Sequence, residues 1–112
     1  MSKRSHELLI DDMLEAIGKI ENFTSGYSKE RFLADTKTVD AVVRNLEIIG
    51  EAARRLPQFI KDAFTDIEWA KIIGLRHRVV HEYFGIDLEI IWSILKKDLP
   101  PFKDALGKKL KG

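Results

Sequence analysis

Apolar residues recur along this chain at steps of three and four, and no stretch alternates convincingly at steps of two. Leu9, Met13, Ala16, Ile17, Ile20 and Phe23 form one such stripe, and Val39, Val42, Val43, Leu46, Ile49, Ala53 and Leu56 form another. A stripe of that period has one face to bury and belongs to an amphipathic helix. The first stripe predicts a helix over roughly residues 5 to 22. The second predicts one from about Thr36 to Leu56, ended by Pro57. Between them Thr24-Ser25-Gly26-Tyr27-Ser28 reads as a turn, and Ser28 as the N-cap of a short helix over Glu30 to Ala34. Pro57 to Phe64 reads as a short helix or a loop. Asp66 is expected to cap a helix from about Ile67 to Tyr83 that stops at Gly85, and Asp87 one from Leu88 to about Lys97. Pro100 and Pro101 are expected to interrupt the pattern and open a last helix carrying Phe102, Leu106 and Leu110. Leu88 to Leu95 could be read as a buried strand, but the cap before it and the helical phasing around it argue otherwise. The expected class is therefore all-α, an antiparallel bundle of four to five helices with short loops.

A chain of 112 residues has the length of one domain, and no linker, repeat or low-complexity stretch divides it, so residues 1–112 read as a single unit. Its 19 basic and 18 acidic residues leave a formal net charge of +1, which excludes a histone-like polycation. Nucleic-acid binding must then come from a local patch. Zero cysteines exclude disulfides, iron–sulfur clusters and thiol nucleophiles, and fit a reducing cytoplasm. No apolar run approaches a membrane span, and the opening residues carry no signal-peptide core, so a cytoplasmic location is expected. Residues 96–112 hold six lysines against two aspartates. Such a basic end could hold RNA or an acidic partner, although a solvated helix face is the commoner role. Asp40 with Arg44 and Glu51 with Arg55 stand four apart, acid first, as solvated helical pairs do.

Chemistry concentrates in Arg76-His77-Arg78-Val79-Val80-His81-Glu82-Tyr83. Cleavage of RNA by its own 2′-hydroxyl needs a base, an acid and positive charge on the five-coordinate phosphorus. Histidine can be either acid or base, and arginine binds phosphate oxygens in pairs. On an ideal helix, however, Arg76 and His81 stand about 140° apart around the axis, whereas His77 and His81 share a face. Three answers to that separation stay open: a wrapping arginine side chain, a distorted helix end, or a second protomer. His77 and His81, at i and i+4, also suit two ligands of one metal ion, with His6, Asp11 or Asp12 required from elsewhere. The plainest alternative has the histidines packed in the bundle and Arg76 and Arg78 paired with acids on neighbouring helices.

The spacing Arg76, four residues, His81, one residue, Tyr83 resembles the signature of HepT-like proteins in the HEPN superfamily. Arg44-Asn45-Leu46-Glu47-Ile48-Ile49-Gly50-Glu51-Ala52 and His81-Glu82-Tyr83-Phe84-Gly85-Ile86-Asp87 carry the same resemblance, which runs from about Asp12 to Leu106. It implies a small all-α domain, a homodimer with the motif in a cleft at the interface, and a metal-independent endoribonuclease acting as a toxin with no cofactor. It implies a partner, a minimal nucleotidyltransferase antitoxin that transfers AMP to Tyr83. A phosphate there would repel RNA. On this resemblance Arg76 and His81 are catalytic, and His77 and Tyr83 support them. His77 departs from the asparagine usual at its position. Arg44, Asn45, Glu51 and Arg78 are candidate RNA or dimer contacts, and for the first three interhelical hydrogen bonding or dimer contacts are preferred to direct catalysis. The alternative function is a non-catalytic binding module that serves the nucleotidyltransferase as partner and substrate.

Overall fold

A computed structural model describes residues 5–84 and 87–111, with side chains for 5–79 and 87–108. Its described residues form helices and turns and contain no strand. The helices are α1 (His6–Phe23), α2 (Lys29–Ala34), α3 (Thr36–Arg55), α4 (Gln58–Ala63), α5 (Trp69–Ile73), α6 (Leu75–Phe84), α7 (Leu88–Ser93) and α8 (Leu99–Lys111), with a π-helical stretch, Ile94–Asp98, joining α7 to α8. The all-α expectation holds, and the antiparallel α1–α3 pair is its frame.

Local chemistry sets the helix starts. Ser5 accepts from the Leu8 amide, Ser28 from the Arg31 amide and Asp35 from the Thr38 amide, so each offers a side-chain oxygen to a donor with no partner inside the helix. Asp35 does more. Its second oxygen accepts from the Tyr27 hydroxyl at 2.6 Å and the Thr38 hydroxyl at 2.7 Å, fastening the α1–α2 turn to the start of α3. These hydrogen bonds, with Arg31 nearby, lower the Asp35 pKa to about 2.

The two predicted stripes meet in the core. Met13, Ile17 and Ile20 on α1 and Val39, Val42, Leu46 and Ile49 on α3 are fully or almost fully buried. α1 also packs on α8, and α3 also packs on α2, α5 and α6. Phe32 plugs the gap between α2 and α7, its ring 5.2 Å from that of Trp92. Trp69 sets its ring edge-on to Phe64 and Phe102, each at 5.9 Å, and its indole N–H donates to the Lys61 carbonyl. That contact seats α4 against the start of α5.

Three expectations need correction. The helix expected from Ile67 to Tyr83 is two helices, α5 and α6, separated at Gly74, and its Gly85 stop lies outside the described residues. Its expected cap, Asp66, does not cap it; Glu68 occupies that position, with no side-chain cap bond. Asp87 does hold the N-cap position of α7, but again without a side-chain bond. Pro100 and Pro101 do not interrupt the backbone. They sit in the first turn of α8, and helical structure runs from Leu88 to Lys111 through the π stretch. A proline ring clashes with the carbonyl four residues back and supplies no N–H. Widening the turn before the pair removes the conflict: the Leu99 amide bonds to the Ile94 carbonyl, five residues back. Among the described residues no helix is long and apolar enough to cross a membrane.

Candidate active site

Gly50 decides where the motif helix lies. A β-carbon on it would stand 3.1 Å from the Arg76 amide nitrogen and 3.4 Å from the carbonyl oxygens of Ile72 and Ile73. A side chain there would crowd main-chain atoms, and glycine avoids that crowding where α3 meets the α5–α6 junction. The chain breaks there at Gly74, and α6 sets off with Arg76 and His77 exposed beside α3 and with Leu75 and Val79 in the core.

The result is a cleft of about 600 Å³ between α1, α3 and the start of α6. Arg44, Arg54, Arg55 and Arg76 line it together with Asp12, Glu47 and Glu51, over an apolar strip of Leu9, Ile48 and Ala52. A second hollow of about 360 Å³ shares Glu51, Arg54 and Arg76 and adds His77, Gly50 and Ile73. The structure therefore joins the arginine of the motif to the two helix-α3 residues, Arg44 and Glu51, singled out from the sequence. Ile48, at 37% exposed, is a large apolar residue left open in this cleft.

Glu51 pairs with Arg54, not with Arg55. Arg54 Nε donates to Oε1 at 3.0 Å and Nη2 to Oε2 at 2.7 Å, a two-point guanidinium–carboxylate pair. The Arg54 hydrogen bond is the main cause that lowers the Glu51 pKa, and the charges of Arg54, Arg76 and Arg55 add to it. The same pair raises the pKa of Arg54. Three-residue spacing brings a short glutamate and a long arginine together on one helix face as well as four-residue spacing does.

The side-chain hydrogen bonds that Asn45 and Glu51 make here lie within α3. Asn45 is buried and donates to the Ala41 carbonyl at 2.9 Å. Arg78 faces away from the cleft residues. Its Nη1 lies 3.1 Å from Asp98, whose other oxygen takes Lys71 Nζ at 3.1 Å. That aspartate is 12% exposed and ties α5 and α6 to the π stretch.

The α6 backbone is helical through His81 and Tyr83, while the side chains of both lie outside the described residues. Five residues of regular helix set Arg76 and His81 about 7.5 Å apart along the axis and about 140° around it. Among the described residues no three histidine, aspartate or glutamate side chains stand close enough to hold a metal ion. Sequence reasoning missed Arg54, Glu47 and Ile48, named Asp12 only as a possible metal ligand, and named Arg55 only as a helical partner of Glu51. The pair Arg54-Arg55, one turn beyond Glu51, was the available signal.

Comparison with known proteins adds the context. A family model described as Ribonuclease HepT-like matches residues 13–108. A Thermococcus cleftensis protein named Probable ribonuclease HepT is 42% identical over 106 residues, covering 95% of this chain and 96% of that one. A Methanocaldococcus jannaschii protein named for RNase activity is 37% identical over 103 residues, covering 92% and 94%. Another from the same organism, similarly named, is 38% identical over 100 residues, covering 89% and 83%. No solved structure matches the chain significantly.

Proposed function

The chain belongs to the Ribonuclease HepT-like family, and on that premise we propose that it is an endoribonuclease that cleaves RNA at the Arg76–His81 motif. One observation carries the reading: Arg76 emerges into an arginine-lined cleft at the start of the helix that also bears His81. In this reaction the ribose 2′-oxygen attacks phosphorus, the bond to the 5′-oxygen breaks, and a 2′,3′-cyclic phosphate remains. His81 takes the 2′-hydroxyl proton or delivers one to the leaving oxygen. Arg76 binds the phosphate and offsets the charge that builds on its oxygens. The nucleophile is the substrate's own, so the reaction needs no metal. His77 orients His81 or the substrate.

The site is completed in a homodimer. One helix separates Arg76 from His81 by about 140°, so a second copy facing the cleft brings the two residue types together across the interface. The exposed Ile48 beside the cleft supports that contact. Arg44 and Glu51 shape the interface side of α3, Asn45 braces that helix from within, and Arg78 holds α6 in place through Asp98. The protein acts as the toxin of a pair. A minimal nucleotidyltransferase silences it by binding and by transferring AMP to Tyr83, which adds a negative charge to the helix that carries Arg76 and repels RNA.

The deciding experiment is cleavage of RNA by the purified protein in excess chelator, beside His81→Ala prepared identically. Cleavage by the wild type and none by the variant is expected, with Tyr83→Phe refusing AMP from the nucleotidyltransferase. Cleavage by neither, from folded dimers, would replace this reading with a binding module that serves the nucleotidyltransferase.

A further inference from the structure

Four arginines share the cleft with three carboxylates among the described residues, so its charge is largely cancelled in the free protein. The closest cancellation is the two-point bond between Arg54 and Glu51. It occupies the Nε–Nη2 edge of Arg54, one of the two paired-donor edges that a guanidinium can offer to a phosphate. The side chains are 62% and 42% exposed, and ion pairs this open to water contribute little to stability. The fold does not need the pair as a strut, because both partners stand on the same helix, three residues apart. A phosphate offers the guanidinium the same paired oxygens as a carboxylate does. Arg54, Arg76 and Glu51 all line both hollows.

We propose that Arg54 is an RNA-contacting residue held in reserve by Glu51: a phosphate flanking the one on Arg76 displaces the glutamate and takes over the guanidinium. The proposal rests on the ribonuclease reading and assigns a second phosphate position to its cleft. Glu51 then acts as a selectivity filter. A single small anion at Arg76 leaves the pair closed, whereas a strand with consecutive phosphates opens it. The exchange adds one phosphate contact for each strand bound and leaves Glu51 beside Arg55 and Arg76.

The test is binding of a labelled single-stranded RNA oligonucleotide to the full chain across a salt series. It compares wild type, Arg54→Ala, Arg54→Lys, Glu51→Gln and Glu51→Gln with Arg54→Ala. Circular dichroism and size exclusion monitor fold and assembly. Arg54→Ala is expected to bind several-fold more weakly and to flatten the slope of log affinity against log salt by about 0.7, the share of one single-strand phosphate. Arg54→Lys recovers the slope but not the full affinity, because a point charge replaces a two-point contact. Glu51→Gln binds several-fold more tightly, and the double variant loses that gain. Wild-type slope in Arg54→Ala, or unchanged affinity in a folded Glu51→Gln, overturns the proposal. So does an Arg54→Ala that changes assembly and not RNA binding. ATP in the same titrations separates the two sources of phosphate: a loss confined to ATP makes the site a nucleotide site and overturns the RNA assignment. If the wild type binds and cleaves RNA while Arg54→Ala matches it, the flanking position fails and the ribonuclease reading stands. If the wild type neither binds nor cleaves, both fail.

Discussion

Gly50 and Arg76 belong to different helices, yet a β-carbon on the first would lie 3.1 Å from the backbone nitrogen of the second. The neighbours it would strike are main-chain atoms of α5 and α6, which cannot rotate away as a side chain can. Gly50→Ala is therefore expected to destabilise the fold by about 1–3 kcal/mol, the usual cost of overpacking. It is also expected to lower RNA cleavage by shifting the start of α6. Gly18→Ala is the control, since nothing lies within 4 Å of its β-carbon position. In mid-α1 it is expected to stabilise by about 0.5–1 kcal/mol. Denaturant midpoints of the two variants check both signs.

Asp98 receives Lys71 and Arg78 at 3.1 Å each, with only 12% of its side chain exposed. Asp98→Asn keeps the shape and removes the charge. A loss of about 1–2 kcal/mol is expected, smaller than for a fully buried pair because both cations can turn to water. Urea melts at low and high salt measure it, and the difference from wild type should shrink as salt rises.

The Asp35 carboxyl has a pKa of about 2 in the folded chain against an ordinary value of 3.8. A group whose folded pKa is depressed contributes stability that is present above its unfolded pKa and is lost as pH falls through its folded pKa. The contribution is thus complete above about pH 5 and disappears between roughly pH 4 and pH 2. Thermal midpoints recorded from pH 6 to pH 2 are expected to fall in that window, and Asp35→Asn to flatten this part of the curve. Tyr27→Phe, which removes the hydrogen bond that lowers the pKa most, should move the fall to higher pH.

Phe32 has no exposed surface and is the only buried residue of α2. Phe32→Ala is expected to cost about 3–5 kcal/mol through the cavity it leaves against Trp92. Tryptophan fluorescence during denaturation reads both the stability and the loosened ring contact.

Much of this fold is legible in the sequence, because α1 and α3 are long, strongly periodic and bounded by Ser5, Asp35 and Pro57, whose chemistry is local. What hid from the sequence depends on contacts across the fold. Gly74 reads as a tolerated residue inside a helix, whereas in the fold the chain breaks there, at the junction that Gly50 of α3 approaches closely. The two prolines read as a helix start, yet the preceding turn had an alternative in widening. In the site, Arg76, His77, Arg44 and Glu51 were visible as residue types. That Arg76, Arg44 and Glu51 share one cleft with Arg54 and Arg55, with His77 in the adjoining hollow, follows from how α6 lies on α3, which no spacing within α6 encodes. The choice of Arg54 over Arg55 as the partner of Glu51 is likewise a matter of side-chain reach, since both spacings favour pairing.

The widened turn at Ile94–Asp98 gives the molecule something a regular helix would deny it. Prolines 100 and 101 cannot donate the two amide bonds that would draw the preceding carbonyls back into an ordinary spiral, so the irregularity is built into the covalent chain. Asp98 therefore stands on a rung whose angular setting is shaped by the prolines as well as by the core packing of Ile94, Leu95 and Leu99, and that rung is where the motif helix is moored through Arg78. A change at either proline would retune the bearing of α6 from the far side of the bundle, without touching a single group that meets the substrate.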